Sequence, residues 1–182
     1  MNYMINIFSI PLIHLQLDEW EFKKKEIIKL FSSSNLKIDK LEKVKSDFFT
    51  KKKNYNNKIQ KIFSNEIKSL EEVVNSENFI VSNSWIESAE KNMYHQIHNH
   101  GALGYSAVCF VDYDETYHSP TQFVSPFNNF FNGSILSYSP EQISEGSLLF
   151  FPSMIHHYTI PNESDIERTI LSFNLSQWYF FN

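Results

Sequence analysis

The chain has 182 residues, of which 42% are apolar and 16% aromatic, with a formal charge of −5. That length can bury a real core within a single domain, and the net acidity argues against unspecific nucleic-acid binding. The lone cysteine, Cys109, excludes an internal disulfide, and no apolar run reaches the length of a membrane span. With no basic-then-apolar leader pattern at the N-terminus, a cytoplasmic protein without membrane contact is expected. A homodimer is left open.

Charge is unevenly spread. All 15 lysines lie at or before Lys91, so residues 1–91 carry +2, while residues 92–182 hold one arginine, Arg168, and carry −7. Lysine, asparagine and isoleucine dominate as in AT-rich coding, and one arginine kept in that background points to a task that lysine performs poorly.

In chain order, residues 6–17 read as strands interrupted by Pro11, which favours an edge or a bulge. Asp18 followed by Glu21 has the form of a capping box. The helix it opens would bury Trp20, Phe22, Ile27, Ile28, Leu30 and Phe31. Residues 36–53 are lysine-rich and weakly patterned, a short strand or turn with a solvated loop. From Tyr55 to Val74, Ile59, Ile62, Phe63, Ile67, Leu70 and Val73 recur at helical spacing. The lysines of these helices read as solvated faces. After Ser76 the texture changes to short apolar runs separated by turn residues. Strands are predicted over Phe79–Trp85, Asn92–His98, Tyr105–Tyr113, Thr121–Val124, Ile135–Tyr138, Ser147–Phe151, His156–Thr159 and Arg168–Leu175. Asn132-Gly133 signals a hairpin and residues 162–165 an exposed turn. Short strands without intervening helices indicate an antiparallel sandwich or jelly roll, with the leading helices packed on one sheet. The organisation is one domain, 1–182, divided into an N-terminal strand and helical support region (1–76) and a β core (77–182).

Phosphate loops, glycine-rich dinucleotide turns and paired cysteines are absent, so the histidines hold the concentrated chemistry. Three of the seven fall within His95–His100. In an extended segment Tyr94, Gln96, His98 and His100 share one face, with His98 and His100 about 6–7 Å apart, a gap that one metal ion bridges. A third ligand must come from a neighbouring strand, and the adjacent His156 and His157 point to opposite faces, so only one of them enters. Periodicity does not choose between them. On the last strand, Arg168, Ile170, Ser172 and Asn174 share a face that is awkwardly polar for a core unless a polar ligand lies there. A guanidinium grips a carboxylate bidentately; a salt bridge to Glu167 or Asp165 is the alternative.

Trp85, then His98-Asn99-His100, Ser106-Ala107-Val108, Gly146-Ser147-Leu148-Leu149-Phe150-Phe151-Pro152-Ser153, His157, Pro161-Asn162 and Glu167-Arg168-Thr169-Ile170-Leu171-Ser172-Phe173-Asn174 follow in one order. This series resembles the 2-oxoglutarate/Fe(II)-dependent oxygenases of bacteria and phages over residues 79–176, the C-terminal block being the specific part. The resemblance implies a double-stranded β-helix (jelly roll) with iron between its sheets. It implies His98 and His157 as ligands, with His157 rather than His156 in register, and Arg168 on the distal carboxylate of 2-oxoglutarate; Ser172, on the Arg168 face of its strand, is expected to hydrogen-bond the same group. There are departures. His100 stands where most enzymes of the wider superfamily carry Asp or Glu, so the metal set becomes His98, His100 and His157; Gly101 replaces the usual proline and Ala107 the usual glycine. Gln96 and Tyr94 could contact the co-substrate or substrate, or line the core.

The implied partners are Fe(II), 2-oxoglutarate, dioxygen and a substrate, which could be a protein side chain, a metabolite or a nucleobase. The implied reaction hydroxylates a C–H bond and releases succinate and CO2. Three rivals stay open: a cupin-like metal protein that does not use 2-oxoglutarate, a three-histidine zinc site that activates water, and a non-catalytic jelly-roll binding module. The loop from Asp114 to Phe131, with Tyr117, Phe123, Phe127, Phe130 and Phe131, is either a lid or substrate wall or simple packing.

Overall fold

The computed structural model describes residues 8–31, 36–38, 43–49 and 55–177. The elements run β1 (Ile13–Gln16), α1 (Trp20–Phe31), β2 (Lys37–Ile38), β3 (Lys45–Ser46), α2 (Asn56–Ile62), α3 (Ser64–Val74), β4 (Phe79–Ala89), β5 (Tyr105–Asp112), β6 (Gln122–Val124), β7 (Ser137–Tyr138), β8 (Ser147–Pro152), β9 (His157–Tyr158) and β10 (Arg168–Gln177). Seven strands form one antiparallel sheet in the order β1-β8-β5-β10-β4-β3-β2, and three form a second in the order β7-β6-β9. The architecture is mainly β with N-terminal helices on one sheet, as the strand pattern indicated. No described helix is long and apolar enough to cross a membrane.

The central strands read as continuous apolar runs because both of their faces are covered. Ala107, Cys109 and Val111 of β5, Leu148 and Phe150 of β8, and Leu171, Phe173 and Leu175 of β10 pack with Ile27, Phe31, Ile59, Phe63, Ile67 and Leu70 of the helices. The alternate residues Val108, Phe110, Leu149, Phe151 and Ile170 face inward, against Phe123 and Ile155 of the opposing layer. The alternation anticipated for β10 therefore holds: its apolar face lies under the helices and its polar face looks between the sheets.

Several local readings change. The first helical hydrogen bond runs from Lys23 N–H to Glu19 O at 3.1 Å, so α1 opens one residue after the expected cap Asp18. Its buried face holds Lys23, Ile27 and Phe31, while Phe22 and Ile28 are exposed. The periodicity over 55–74 is split at Phe63, whose φ of −107° and ψ of 22° separate α2 from α3. Pro11 does precede an edge strand, β1; Asn6 and Ile7 lie outside the described residues. Asn132-Gly133 sits at the tip of a long β6–β7 connection rather than joining the strands directly. Asn162 is buried in its turn, donating from Nδ2 to Ala89 O at 2.9 Å and Ile166 O at 2.7 Å.

The segment predicted as a strand over Asn92–His98 is not one, but it lies along the chain leading out of β9. Asn92 N–H donates to Asn162 O (2.8 Å), Thr159 N–H to His95 O (3.0 Å), and His100 N–H to Ser153 O (2.9 Å). At His98 and His157 the two backbones exchange both bonds, at 3.0 and 2.9 Å. The pairing is interrupted by extra residues between these contacts, which removes the regular alternation of side chains.

One lysine departs from the solvated-face reading. Lys23 is buried, with its ammonium 2.9 and 3.0 Å from the carboxylate of Glu66 and 2.8 Å from Ile62 O. Removing one partner leaves a buried charge uncompensated, so Lys23→Met is expected to cost about 3–5 kcal/mol. Lys23→Met with Glu66→Leu should recover most of it. Urea denaturation of both variants checks this; equal losses would show that the ion pair is not the source.

Candidate metal centre

His98, His100 and His157 meet between the sheets, with one ring nitrogen from each lying within 4.8 Å of the others. The Nε2 atoms of His98 and His100 are 3.2 Å apart. Each ring is held from behind. His98 Nδ1 faces Gln96 O at 2.8 Å, and His157 Nδ1 faces Ile155 O at 2.9 Å. Carbonyl oxygens only accept, so both Nδ1 atoms carry the proton and both Nε2 atoms present lone pairs. His100 Nδ1 lies 2.6 Å from Asn174 Oδ1, which also accepts from Ser106 Oγ at 2.9 Å. Facing lone pairs repel one another and attract a cation, and pinning the second nitrogen fixes each ring's tautomer and aim.

Burial keeps the imidazoles neutral. It pushes His98 down to about 4, reinforced by neighbouring His95 and His100. His157 is driven well below its ordinary value by burial and then by His98 and His100, and His100 is lowered by burial against the pull of Asn174. Neutral imidazole is the ligating form.

His157, not His156, is the inward ring. His156 is exposed, with Nε2 3.2 Å from Asn99 Nδ2. Gln96 is also exposed and touches the centre only through its carbonyl. Tyr94, whose N–H bonds Lys43 O at 3.2 Å, does not line the cavities around the histidines. An extended strand would put both on the His98 face; in the irregular segment neither lines the cavities around the rings, and His95 does. The His95 ring stacks on His98 at 3.9 Å, and its Nδ1 lies 3.0 Å from Glu87 Oε2. Glu87 Oε1 accepts from Trp85 Nε1 at 2.5 Å. Burial raises the Glu87 carboxyl, but His95 and the Trp85 bond outweigh it and hold it at about 2.

A small cavity beside the three rings is lined by Trp85, Glu87, Val108, Thr121, Ile170 and Ser172 among others. Arg168 stands one step further along the same face of β10, 5% exposed. Its Nη1 donates to Ser119 O at 2.9 Å, and its buried Nε has no partner. The anticipated alternative partners are engaged elsewhere, Glu167 by Ser88 and Asp165 by Lys91. Glu87, opposite Ile170, acts on the guanidinium through space, but no carboxylate among the described residues hydrogen-bonds it, and a buried guanidinium with a spare donor fits an anionic ligand.

On the outer side the rings open into a second cavity of about 270 Å³, walled by Val44, Phe48, Phe49 and Trp85. The wall had been expected from the loop Asp114–Phe131. In the structure Phe123 is buried, Phe127 stacks on Phe8 at 5.8 Å, and Phe130 and Phe131 are fully outside. The adjacent aromatics Phe48 and Phe49, in a lysine-rich stretch that reads as a solvated loop, are the sequence signal for this wall.

Metal binding should be lost in His98→Ala and His157→Ala and kept in His156→Ala, measured by metal analysis after anaerobic reconstitution with Fe(II). Asn174→Leu, which unpins His100, should weaken it by about 10–100-fold. Retention by His157→Ala would remove that residue from the ligand set.

Comparison with known proteins agrees with this geometry. The family described as "Putative 2OG-Fe(II) oxygenase" matches residues 83–174. Among solved structures, a prolyl-4-hydroxylase of Pseudomonas putida superposes with a TM-score of 0.59 at 11% identity, covering 93% of this chain and 94% of that one. The viral collagen prolyl hydroxylase of Paramecium bursaria Chlorella virus-1, in its 2OG complex, gives 0.56 at 13% identity over 90% and 94%. An epimerase of nogalamycin biosynthesis, in complex with Fe3+, alpha ketoglutarate and nogalamycin RO, gives 0.63 at 11% identity over 91% and 78%. No curated protein matches by sequence. With the family pattern spanning half the chain and the double-stranded β-helix fold beneath it, this protein belongs to the 2OG-Fe(II) oxygenase family.

Proposed function

We propose that the chain is an Fe(II)- and 2-oxoglutarate-dependent dioxygenase that hydroxylates a C–H bond of its substrate, with His98, His100 and His157 holding the iron. We read it as a single domain whose residues 1–76 support the 77–182 core. One observation carries the reading: three Nε2 lone pairs converge within 4.8 Å, their Nδ1 protons pinned, on the sheet face that also holds a buried arginine whose Nε has no hydrogen-bond partner. Bound there, ferrous iron with 2-oxoglutarate supplies dioxygen activation coupled to release of succinate and CO2.

The chain's own residues do the rest. Arg168 grips the distal carboxylate with its planar fork, which lysine does not reproduce. Ser172 and Thr121 offer hydroxyls nearer the rings, from the lining of the small cavity. Phe48, Phe49 and Trp85 form the apolar wall on the open side, where the substrate is oriented and water kept away. A second reading has one observation in its favour: three neutral imidazoles without a carboxylate also suit zinc and water activation. Succinate formation separates the two.

The test is titration of 2-oxoglutarate into the anaerobic iron form, following the metal-to-ligand charge-transfer band of a chelated keto-acid. Each charge-assisted bond to a buried arginine is worth about 1.5–3 kcal/mol, so Arg168→Ala should weaken 2-oxoglutarate by about two orders of magnitude or more. Arg168→Lys should weaken it less, and both should keep iron. Unchanged affinity in folded Arg168→Ala would end the anchoring role. A wild type that binds iron without the band would favour the second reading.

A further inference from the structure

Three neutral imidazoles leave both charges of a ferrous ion uncompensated, whereas the common facial set of two histidines and a carboxylate cancels one of them. The inner face of the large sheet holds a negative charge close by. Glu87 lies on β4 opposite Ile170 of β10, is 5% exposed, and lines the small cavity together with His98, His100 and His157. Its two oxygens are fixed separately, by the Trp85 indole at 2.5 Å and the His95 imidazole at 3.0 Å. His95 in turn stacks on the ring of His98. Sheet packing does not call for a carboxylate here, because the sheet residues that share the cavity with it include Trp85, Val108 and Ile170. Burying an ion among them costs several kcal/mol unless a countercharge is near.

We infer that Glu87, held by Trp85 and acting through His95, is the counter-charge of the three-histidine iron site, supplying from outside the ligand ring the negative charge that His100 leaves out of it. The inference rests on the iron reading proposed above. With a ferrous ion, a dianionic co-substrate, Arg168 and Glu87, the buried charges cancel; without Glu87 they leave a net positive charge in a dry pocket. Glu87 thereby acts on the metal as a positioning residue rather than as a ligand.

The experiment compares wild type, Glu87→Gln, His100→Asp and the double variant for Fe(II) and Co(II) affinity by anaerobic chelator competition. It also measures 2-oxoglutarate affinity of the iron-loaded forms. Glu87→Gln should bind metal about 10–100-fold more weakly while binding 2-oxoglutarate as well as wild type or better, because a negative charge has left the anion's surroundings. A merely structural role would weaken both together. His100→Asp puts a second carboxylate beside Glu87; it should keep the metal but weaken 2-oxoglutarate by about tenfold. The double variant, with one carboxylate again, should restore both affinities. Metal affinity in Glu87→Gln equal to wild type overturns the inference. Should that variant not fold, undiminished 2-oxoglutarate affinity in His100→Asp overturns it. A wild type that takes no metal overturns the iron reading and this inference together.

Discussion

The site depends on a repulsion held in place. Three imidazole lone pairs point at one another, two of them 3.2 Å apart, an arrangement that loses energy unless a cation lies among them. The chain maintains it by tying the rear nitrogen of each ring to an acceptor: the carbonyls of Gln96 and Ile155, and the amide of Asn174. Two of the three tethers are backbone groups within two residues of the histidine they hold, so the aim of those rings is set by local chain shape. The third comes from β10, which couples the ring of His100 to the large sheet.

The double exchange of backbone bonds between His98 and His157 brings two segments 59 positions apart into one centre. Around it the fold separates two chemistries by face. Outward residues of β5, β8 and β10 make an apolar layer under the helices; inward residues include Ser106, Ser172, Asn174, Glu87 and Arg168 among apolar neighbours. Buried polar groups of that kind lower stability unless partnered. Here Ser106 and Asn174 are partnered with His100, Glu87 with Trp85 and His95, and Arg168 Nη1 with Ser119 O, while Arg168 Nε has no partner among the described residues. The N-terminal region also does more than support. β1 and β3 extend the large sheet at opposite flanks, and the residues after β3 wall the outer cavity.

Much of this was legible in the residues. The strand texture after Ser76, the two-faced pattern of β10, the choice of one histidine from the pair at 156–157 and the isolation of Arg168 all follow from alternation, composition and the resemblance of the C-terminal block. The parts that were not legible share a cause. Phe22 and Ile28 are exposed because α1 presents Lys23 to Glu66, an ion pair spanning 43 positions. Tyr94 and Gln96 do not line the cavities around the rings, because extra residues interrupt the pairing of the 92–100 segment with its partner.

The sequence by itself determined the double-stranded β-helix class, the histidine set and the polar inner face of the last strand, because each rests on spacing along one segment or on a short ordered motif. Only the tertiary structure decided that His95 and Glu87 join the centre and that Phe48 and Phe49 wall it. Those contacts cross between β4, the irregular segment beside β9 and the loop after β3, and no local periodicity records which side chains two distant backbones place face to face.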